Sequence, residues 1–259
     1  MQHRVLRDSG SAVGWPHLKR HDKDVRMTVR SADTEIEVGA PKPAAGHGSL
    51  TQMMRDRTHG LHTRAERSGI VTSLLRGTAS RYGYALLMRN LLPAYQALET
   101  GLDAHRHLPA MRTIALQELY RTPALISDLT ELFGHEWNSA LPLLPAGAEY
   151  ERRVTIAAEG NGARLVAHAY TRYFGDLSGG QILKRLLMNS PGLRPQELSF
   201  YDFPLIDEIE DFKKHYRRAV DEYPASIFDM DTIVGEAVAA FELNIAVSEA
   251  VLEASAVGV

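Results

Sequence analysis

The sequence predicts an all-α protein, organised as a single multi-helix domain. From about residue 50 onward, apolar residues recur at three- and four-residue steps, which is the period of a helix that buries one face. No segment in that region shows the strict alternation of a half-buried strand. Turn signals rich in Pro and Gly separate the periodic segments at 142–147, 189–195 and 201–204.

Composition excludes several classes of protein. The 259 residues can bury a sizeable core, and 44% hydrophobic and 24% charged residues are ordinary for a globular chain. A net charge of −3 argues against a nucleic-acid binder. The absence of cysteine excludes disulfides, thiolate metal sites and a cysteine nucleophile. No apolar run is long enough for a membrane span and no secretory signal is evident, so we expect a cytoplasmic protein.

The first part of the chain differs from the rest. Residues 1–48 are polar, show little periodicity and end in a stretch rich in Pro, Gly and Ala. This pattern predicts a flexible N-terminal extension, followed by a helical domain over 49–255. A short strand over 34–38, with the sequence TEIEV, is the one weak strand signal.

The helical period predicts eight helices. They cover 50–75, 78–103, 109–120, 122–133, 148–159, 163–189, 206–222 and 231–254. The last is amphipathic, and we expect its broad apolar face to join the core. That face carries Val234, Val238, Phe241, Ile245, Val251 and Leu252.

The helix predicted over 163–189 contains Gly175, Gly179 and Gly180. Each glycine costs about 1 kcal/mol relative to alanine inside a helix, so some other interaction should offset the loss. Gly175 and Gly179 are four residues apart and so lie on one stripe of the helix surface. Arg172 continues that stripe, and Asp176 lies next to it. The pattern fits a helix–helix contact that needs small residues, or two helices broken at 178–180. It also fits a flat ligand lying against bare backbone, with Asp176 directed at its reactive centre.

The segment LVAHAYTRYFGDLSGGQ, over 165–181, resembles the distal-helix motif of the biliverdin-producing heme oxygenases. The resemblance implies that heme b, both substrate and prosthetic group, lies between a proximal helix and a glycine-kinked distal helix. Gly175 and Gly179 would leave room for O2, and Asp176 would hold a water network that delivers protons. Tyr95 would join this network through Arg172 and Asp176. Pro93, two residues before Tyr95, departs from the family pattern and is expected to kink its helix.

The segment HTRAE, over 62–66, is similar to the proximal-ligand segment of the same family. From the residues alone, His59, His62 and Glu66 share one helix face, which also fits a solvated His/Glu surface. The resemblance assigns the axial bond to the heme iron to His62, rather than to His59. Glu66 would then accept the second ring N–H of His62. His168 is interpreted as a core histidine or a residue behind the site.

Several cations are candidates for binding the heme propionates. Arg55 lies two turns before His62, and FKKHYR over 212–217 resembles the family's propionate-binding helix, which assigns Lys213 and Arg217. From the residues alone, these charges next to the acidic run at 207–211 also fit a solvated helix. Tyr170 is similar to the family's heme-contacting tyrosine.

The resemblance extends from about residue 50 to 254 and implies oxidative cleavage of heme to biliverdin, carbon monoxide and ferrous iron. No dinucleotide-binding glycine motif follows a strand, so a separate ferredoxin- or flavoprotein-type reductase should supply electrons, docking around Arg217 and Arg218. A non-catalytic heme carrier or sensor is the alternative. A dimetal oxidase ranks last because the sequence lacks a Glu-x-x-His spacing.

Overall fold

The computed structural model describes residues 48–190 and 192–257. The predicted extension before residue 48 and the predicted strand over 34–38 lie outside the described residues. Within those ranges the chain forms helices and turns without a strand, so the predicted all-α class is confirmed. No helix in the same ranges is both long and apolar enough to cross a membrane.

Eleven α-helices, one π-helical segment and three short 3-10 turns make up this part of the chain. The helices are α1 (Leu50–Glu66), α2 (Gly69–Leu75), α3 (Arg81–His105), α4 (Pro109–Arg112), α5 (Thr122–Phe133), α6 (Trp137–Ala140), α7 (Pro145–Ala157), α8 (Leu165–Gly175), α9 (Gln181–Leu187), α10 (Ile209–Asp221) and α11 (Ile227–Val257). The π-helical segment is Asp176–Gly180, and the 3-10 turns are Gln117–Leu119, Pro195–Glu197 and Ser199–Tyr201.

Two long helices, α3 and α11, organise the core. α3 begins after Ser80, whose hydroxyl caps the helix by accepting the Gly83 amide at 3.0 Å. It packs against α5, α7 and α8, and α11 packs along α1, α2, α3, α7 and α8. Because both helices have neighbours on several sides, their buried residues extend beyond a single stripe.

The α11 prediction was therefore only partly right. Ile245 and Val251 are buried as expected, but Val234, Val238 and Phe241 are only half-buried, and Leu252 is exposed. The core positions of this helix that the pattern missed are Ile233, Ala237, Ala240 and Val247.

Two predicted helices were wrong in extent. The helix expected over 50–75 is divided, because Gly69 adopts a left-handed conformation (φ +55°) between α1 and α2. The helix expected over 109–120 ends at Arg112 and is followed by a 3-10 turn over Gln117–Leu119. Between these two segments, the Ile114 carbonyl accepts a hydrogen bond from the Tyr216 hydroxyl of α10 at 3.2 Å.

Candidate active site

Gly175 and Gly179 expose bare backbone at the junction of α8 and the π-helical segment. A Cβ built at either position would meet no described atom within 4 Å, so the face they share borders open space. Gly180 differs, because it is buried and its Cβ would lie 3.2 Å from the Tyr201 ring. The helix–helix contact considered from the sequence therefore fits Gly180 but not Gly175 or Gly179.

The backbone stays helical through these glycines but changes from α to π hydrogen bonding over Asp176–Gly180. The alternative of two helices broken at 178–180 was wrong, and the predicted kink stays a prediction. A π turn inserts an extra residue and alters the faces of the residues that follow it. Within this segment Asp176 and Leu177 are buried while Gly179 is exposed.

The buried carboxylate of Asp176 is hydrogen-bonded to Tyr95, which comes from α3. The Tyr95 hydroxyl donates to Asp176 Oδ2 at 2.5 Å and accepts from Arg172 Nε and Nη2 at 2.8 and 2.6 Å. Arg172 Nη2 also lies 3.5 Å from Asp176 Oδ1. The structure thus brings these three predicted residues together, with Pro93 accommodated inside α3.

Two further residues extend this network, and sequence reasoning missed both. Asn244 of α11 accepts a hydrogen bond from Arg172 Nη1 and donates from Nδ2 to the Tyr150 hydroxyl at 3.1 Å. For Asn244, the one available sequence signal was a polar amide within a long apolar helix. No sequence signal pointed to the Tyr150 hydroxyl.

Burial dominates the electrostatics of the network. It raises the pKa of Asp176 above its usual value, although Arg172 and the hydrogen bond from Tyr95 act in the opposite direction. Burial likewise raises the pKa of Tyr95, which remains a neutral donor. Asp176 can therefore carry a proton at a higher pH than a surface aspartate can.

His62 lies near the end of α1, with its side chain 63% exposed. Its Nδ1 lies 3.4 Å from Glu66 Oε1, and its ring centroid lies 6.0 Å from that of Phe241 on α11. Nε2 has no hydrogen-bond partner among the described residues, so one ring nitrogen can bind a metal while the other faces a carboxylate. His59 is also exposed on α1.

Cationic side chains from α1 and α10 lie near Tyr170 of α8. Burial raises the pKa of Tyr170, and the charges of Arg217 and Arg55 partly oppose this shift. The Arg217 guanidinium lies 5.4 Å from the centroid of the Phe174 ring, which is 5.0 Å from that of Tyr170. Lys213 forms an ion pair with Glu210 of its own helix at 2.9 Å.

His168 is fully buried, as its interpretation as a core histidine requires, and its ring centroid lies 5.9 Å from that of Tyr150. Its Nε2 lies 2.9 Å from Glu236 Oε1, and Arg153 donates to both carboxylate oxygens of Glu236 at 2.8 and 2.7 Å. Burial disfavours the charge on Glu236, but these hydrogen bonds prevail and hold its pKa at about 2.

Comparison with known proteins identifies the family. A family model described as heme oxygenase matches residues 48–250. Heme oxygenase 1 of Nostoc sp. is 36% identical over 197 residues, which are 76% of this chain and 83% of that protein. Heme oxygenase 1 of Homo sapiens is 32% identical over 216 residues, covering 82% and 75% of the two chains. The heme complex of heme oxygenase-1 from Synechocystis sp. superimposes with a TM-score of 0.75 at 34% identity, covering 81% of this chain and 97% of that one. The chain belongs to the heme oxygenase family.

Proposed function

We propose that residues 49–255 form a heme oxygenase domain that cleaves heme b to biliverdin, carbon monoxide and ferrous iron, using O2 and external electrons. The observation that carries this proposal is the open backbone face of Gly175 and Gly179 beside the buried Asp176–Tyr95–Arg172 network. The family match over residues 48–250 supports it. A cytoplasmic location is part of the proposal.

The residues present fit a bound heme. His62 would supply the axial nitrogen through Nε2, with Glu66 facing Nδ1. The glycine backbone lets a flat macrocycle approach closely, because no Cβ projects from Gly175 or Gly179. Heme itself, when bound, supplies the iron and the redox chemistry.

The two heme propionates would be held by Arg55, Lys213 and Arg217, and Tyr170 would contact the heme. Arg55 and Arg217 both act electrostatically on Tyr170, so a cation from α1 and one from α10 lie near the middle of α8. Lys213 would have to leave Glu210, a residue 77% exposed. Ion pairs of this kind contribute only about 0–1 kcal/mol, so a propionate can replace Glu210 as its partner.

Asp176 would order water at the glycine face and supply a proton there. Tyr95 holds Oδ2 at 2.5 Å, whereas among the described residues Oδ1 has only Arg172, at 3.5 Å, and remains able to accept from water. Arg172 fixes the Tyr95 hydroxyl with two hydrogen bonds, and Asn244 in turn holds Arg172. These contacts position the proton donor relative to the substrate.

A separate ferredoxin- or flavoprotein-type reductase would supply the electrons, because the described chain has no strand on which to build a dinucleotide site. We propose that it docks at the exposed basic surface around Arg217 and Arg218. Arg218→Glu should slow reductase-dependent turnover while leaving turnover with a chemical reductant unchanged. The control is Arg152→Glu, which reverses the same charge at an exposed position of α7. Equal reductase-dependent rates in the two variants would contradict this docking surface.

One experiment tests the function. Hemin is added to the purified protein with excess chemical reductant in air, and the absorption spectrum is followed. An enzyme replaces the Soret band with the broad red absorption of a linear tetrapyrrole. A Soret band that persists through reduction would instead support the heme carrier or sensor.

A further inference from the structure

The turn between α1 and α2 is held by a serine from a distant part of the chain. Ser68 occupies the N-cap position of α2, but its hydroxyl donates to the Arg64 carbonyl at 2.7 Å and does not cap the helix. The Val71 amide, in the first turn of α2, instead donates to the Ser248 hydroxyl of α11 at 3.2 Å. The same hydroxyl donates to the Ser68 carbonyl at 2.9 Å. Ser248 thus caps α2 from another helix.

The backbones touch at this point, which leaves no room for the turn to shift toward α11. Gly69 has a φ of +55°, and a Cβ built on it would lie 2.2 Å from both the carbonyl carbon and the oxygen of Ser248. Ser248 itself is only 2% exposed. The position of the turn is therefore fixed by direct contact as well as by two hydrogen bonds.

From this geometry we infer that Ser248 is a positioning residue for His62. The Ser248 hydroxyl holds Ser68, and Ser68 holds the carbonyl of Arg64, which lies between His62 and Glu66 in the last turns of α1. Ser248 therefore fixes the end of α1 that carries the axial ligand. This inference rests on the proposed function for the role of His62, but the capping geometry does not depend on it.

The same helix also positions the rest of the site. Phe241 of α11, whose ring centroid lies 6.0 Å from that of His62, precedes Ser248 by two helical turns and so lies on the same face. Asn244, between them, holds Arg172 of the distal network. α11 thus contacts both the proximal imidazole and the distal hydrogen-bond network, and Ser248 supplies its hydrogen bonds to the turn that ends α1.

The heme-free protein provides the first test. Ser248→Ala should increase the hydrogen-exchange rate of the Val71 amide by roughly fivefold, the effect expected from the loss of one helix cap. Ser255→Ala is the matched control, because within the described ranges that hydroxyl bonds only to the Leu252 carbonyl of its own helix, at 3.0 Å. Ser248→Thr retains a hydroxyl and should restore slow exchange. An exchange rate in Ser248→Ala equal to that in Ser255→Ala would overturn the capping role.

The hemin complex provides the second test. Ser248→Ala should change the rhombicity of the ferric electron paramagnetic resonance signal, which reports the orientation of the axial imidazole, and Ser248→Thr should recover it. Identical spectra for Ser248→Ala and Ser255→Ala would refute the positioning role. If the wild-type protein cleaves heme, that result leaves the proposed function intact. A wild-type protein that binds no hemin would instead refute the proposed function, and with it the positioning role for an axial ligand.

Discussion

Replacing Tyr95 with Phe removes one hydroxyl from the centre of the distal network. That hydroxyl accepts two hydrogen bonds from the Arg172 guanidinium and donates one to the Asp176 carboxylate. The ring is 1% exposed, so water cannot replace these bonds without opening the core. We expect a loss of stability together with slower biliverdin formation.

The size of the expected stability loss follows from the groups that the Tyr95 hydroxyl contacts. A hydrogen bond to a charged group contributes about 1.5–3 kcal/mol, but the three bonds share one hydroxyl and are not additive. Arg172 keeps its bond to Asn244 and can move toward Asp176 from 3.5 Å. We therefore expect Tyr95→Phe to lower the free energy of unfolding by about 3 kcal/mol.

Tyr216→Phe is the matched control. This residue is also 1% exposed, but its hydroxyl makes a single neutral hydrogen bond in the part of the chain that the structure describes, to the Ile114 carbonyl at 3.2 Å. Its loss should lower the free energy of unfolding by about 1 kcal/mol. Urea unfolding of the heme-free variants, followed by circular dichroism, measures the difference. Equal costs for the two substitutions would refute the charge-assisted network.

Three further substitutions test the remaining parts of the account. His62→Ala should remove the imidazole signature from the electron paramagnetic resonance spectrum of the hemin complex, and an unchanged spectrum would point to His59. Gly179→Ala should raise the free energy of unfolding by up to about 1 kcal/mol while weakening hemin binding about tenfold. Urea denaturation measures the first effect and hemin titration the second. Unchanged hemin affinity would show that no ligand lies against that backbone. The pKa of Glu236 is about 2 instead of the usual 4.5, so its stabilising effect is lost as the pH falls through this range. Glu236→Gln should lower the free energy of unfolding at neutral pH and make it fall less steeply as the pH is lowered. Urea unfolding across a pH series measures this, and an unchanged fall of stability with pH would show that the explanation is wrong.

Helical periodicity was sufficient to predict the fold class and most of the helices, because long amphipathic segments carry many independent signals. The division at Gly69 was missed since the turn there packs against the backbone of Ser248, which is far away in the sequence and leaves no room for a Cβ. The early end of α4 was also missed, and just beyond it the carbonyl of Ile114 accepts a hydrogen bond from Tyr216 of α10. Local sequence does not contain these tertiary contacts.

The residues of the candidate site also include some that local sequence predicts and some that it does not. The spacing of Arg172 and Asp176 predicts their proximity on one helix, whereas Tyr95 lies 81 residues before Asp176 and entered only through family resemblance. The π-helical segment was not predicted, because three glycines indicate weak helix propensity without specifying which hydrogen bonds form. Gly180 against Tyr201 shows that one of the three has a packing role.

The central claim is that heme lies between His62 and the bare backbone of Gly175 and Gly179. A crystal structure of the protein with hemin tests it most directly. We expect the iron within bonding distance of His62 Nε2 and the glycine backbone in van der Waals contact with the opposite face of the macrocycle. An iron bound to His59, or a macrocycle on another surface, would contradict the account.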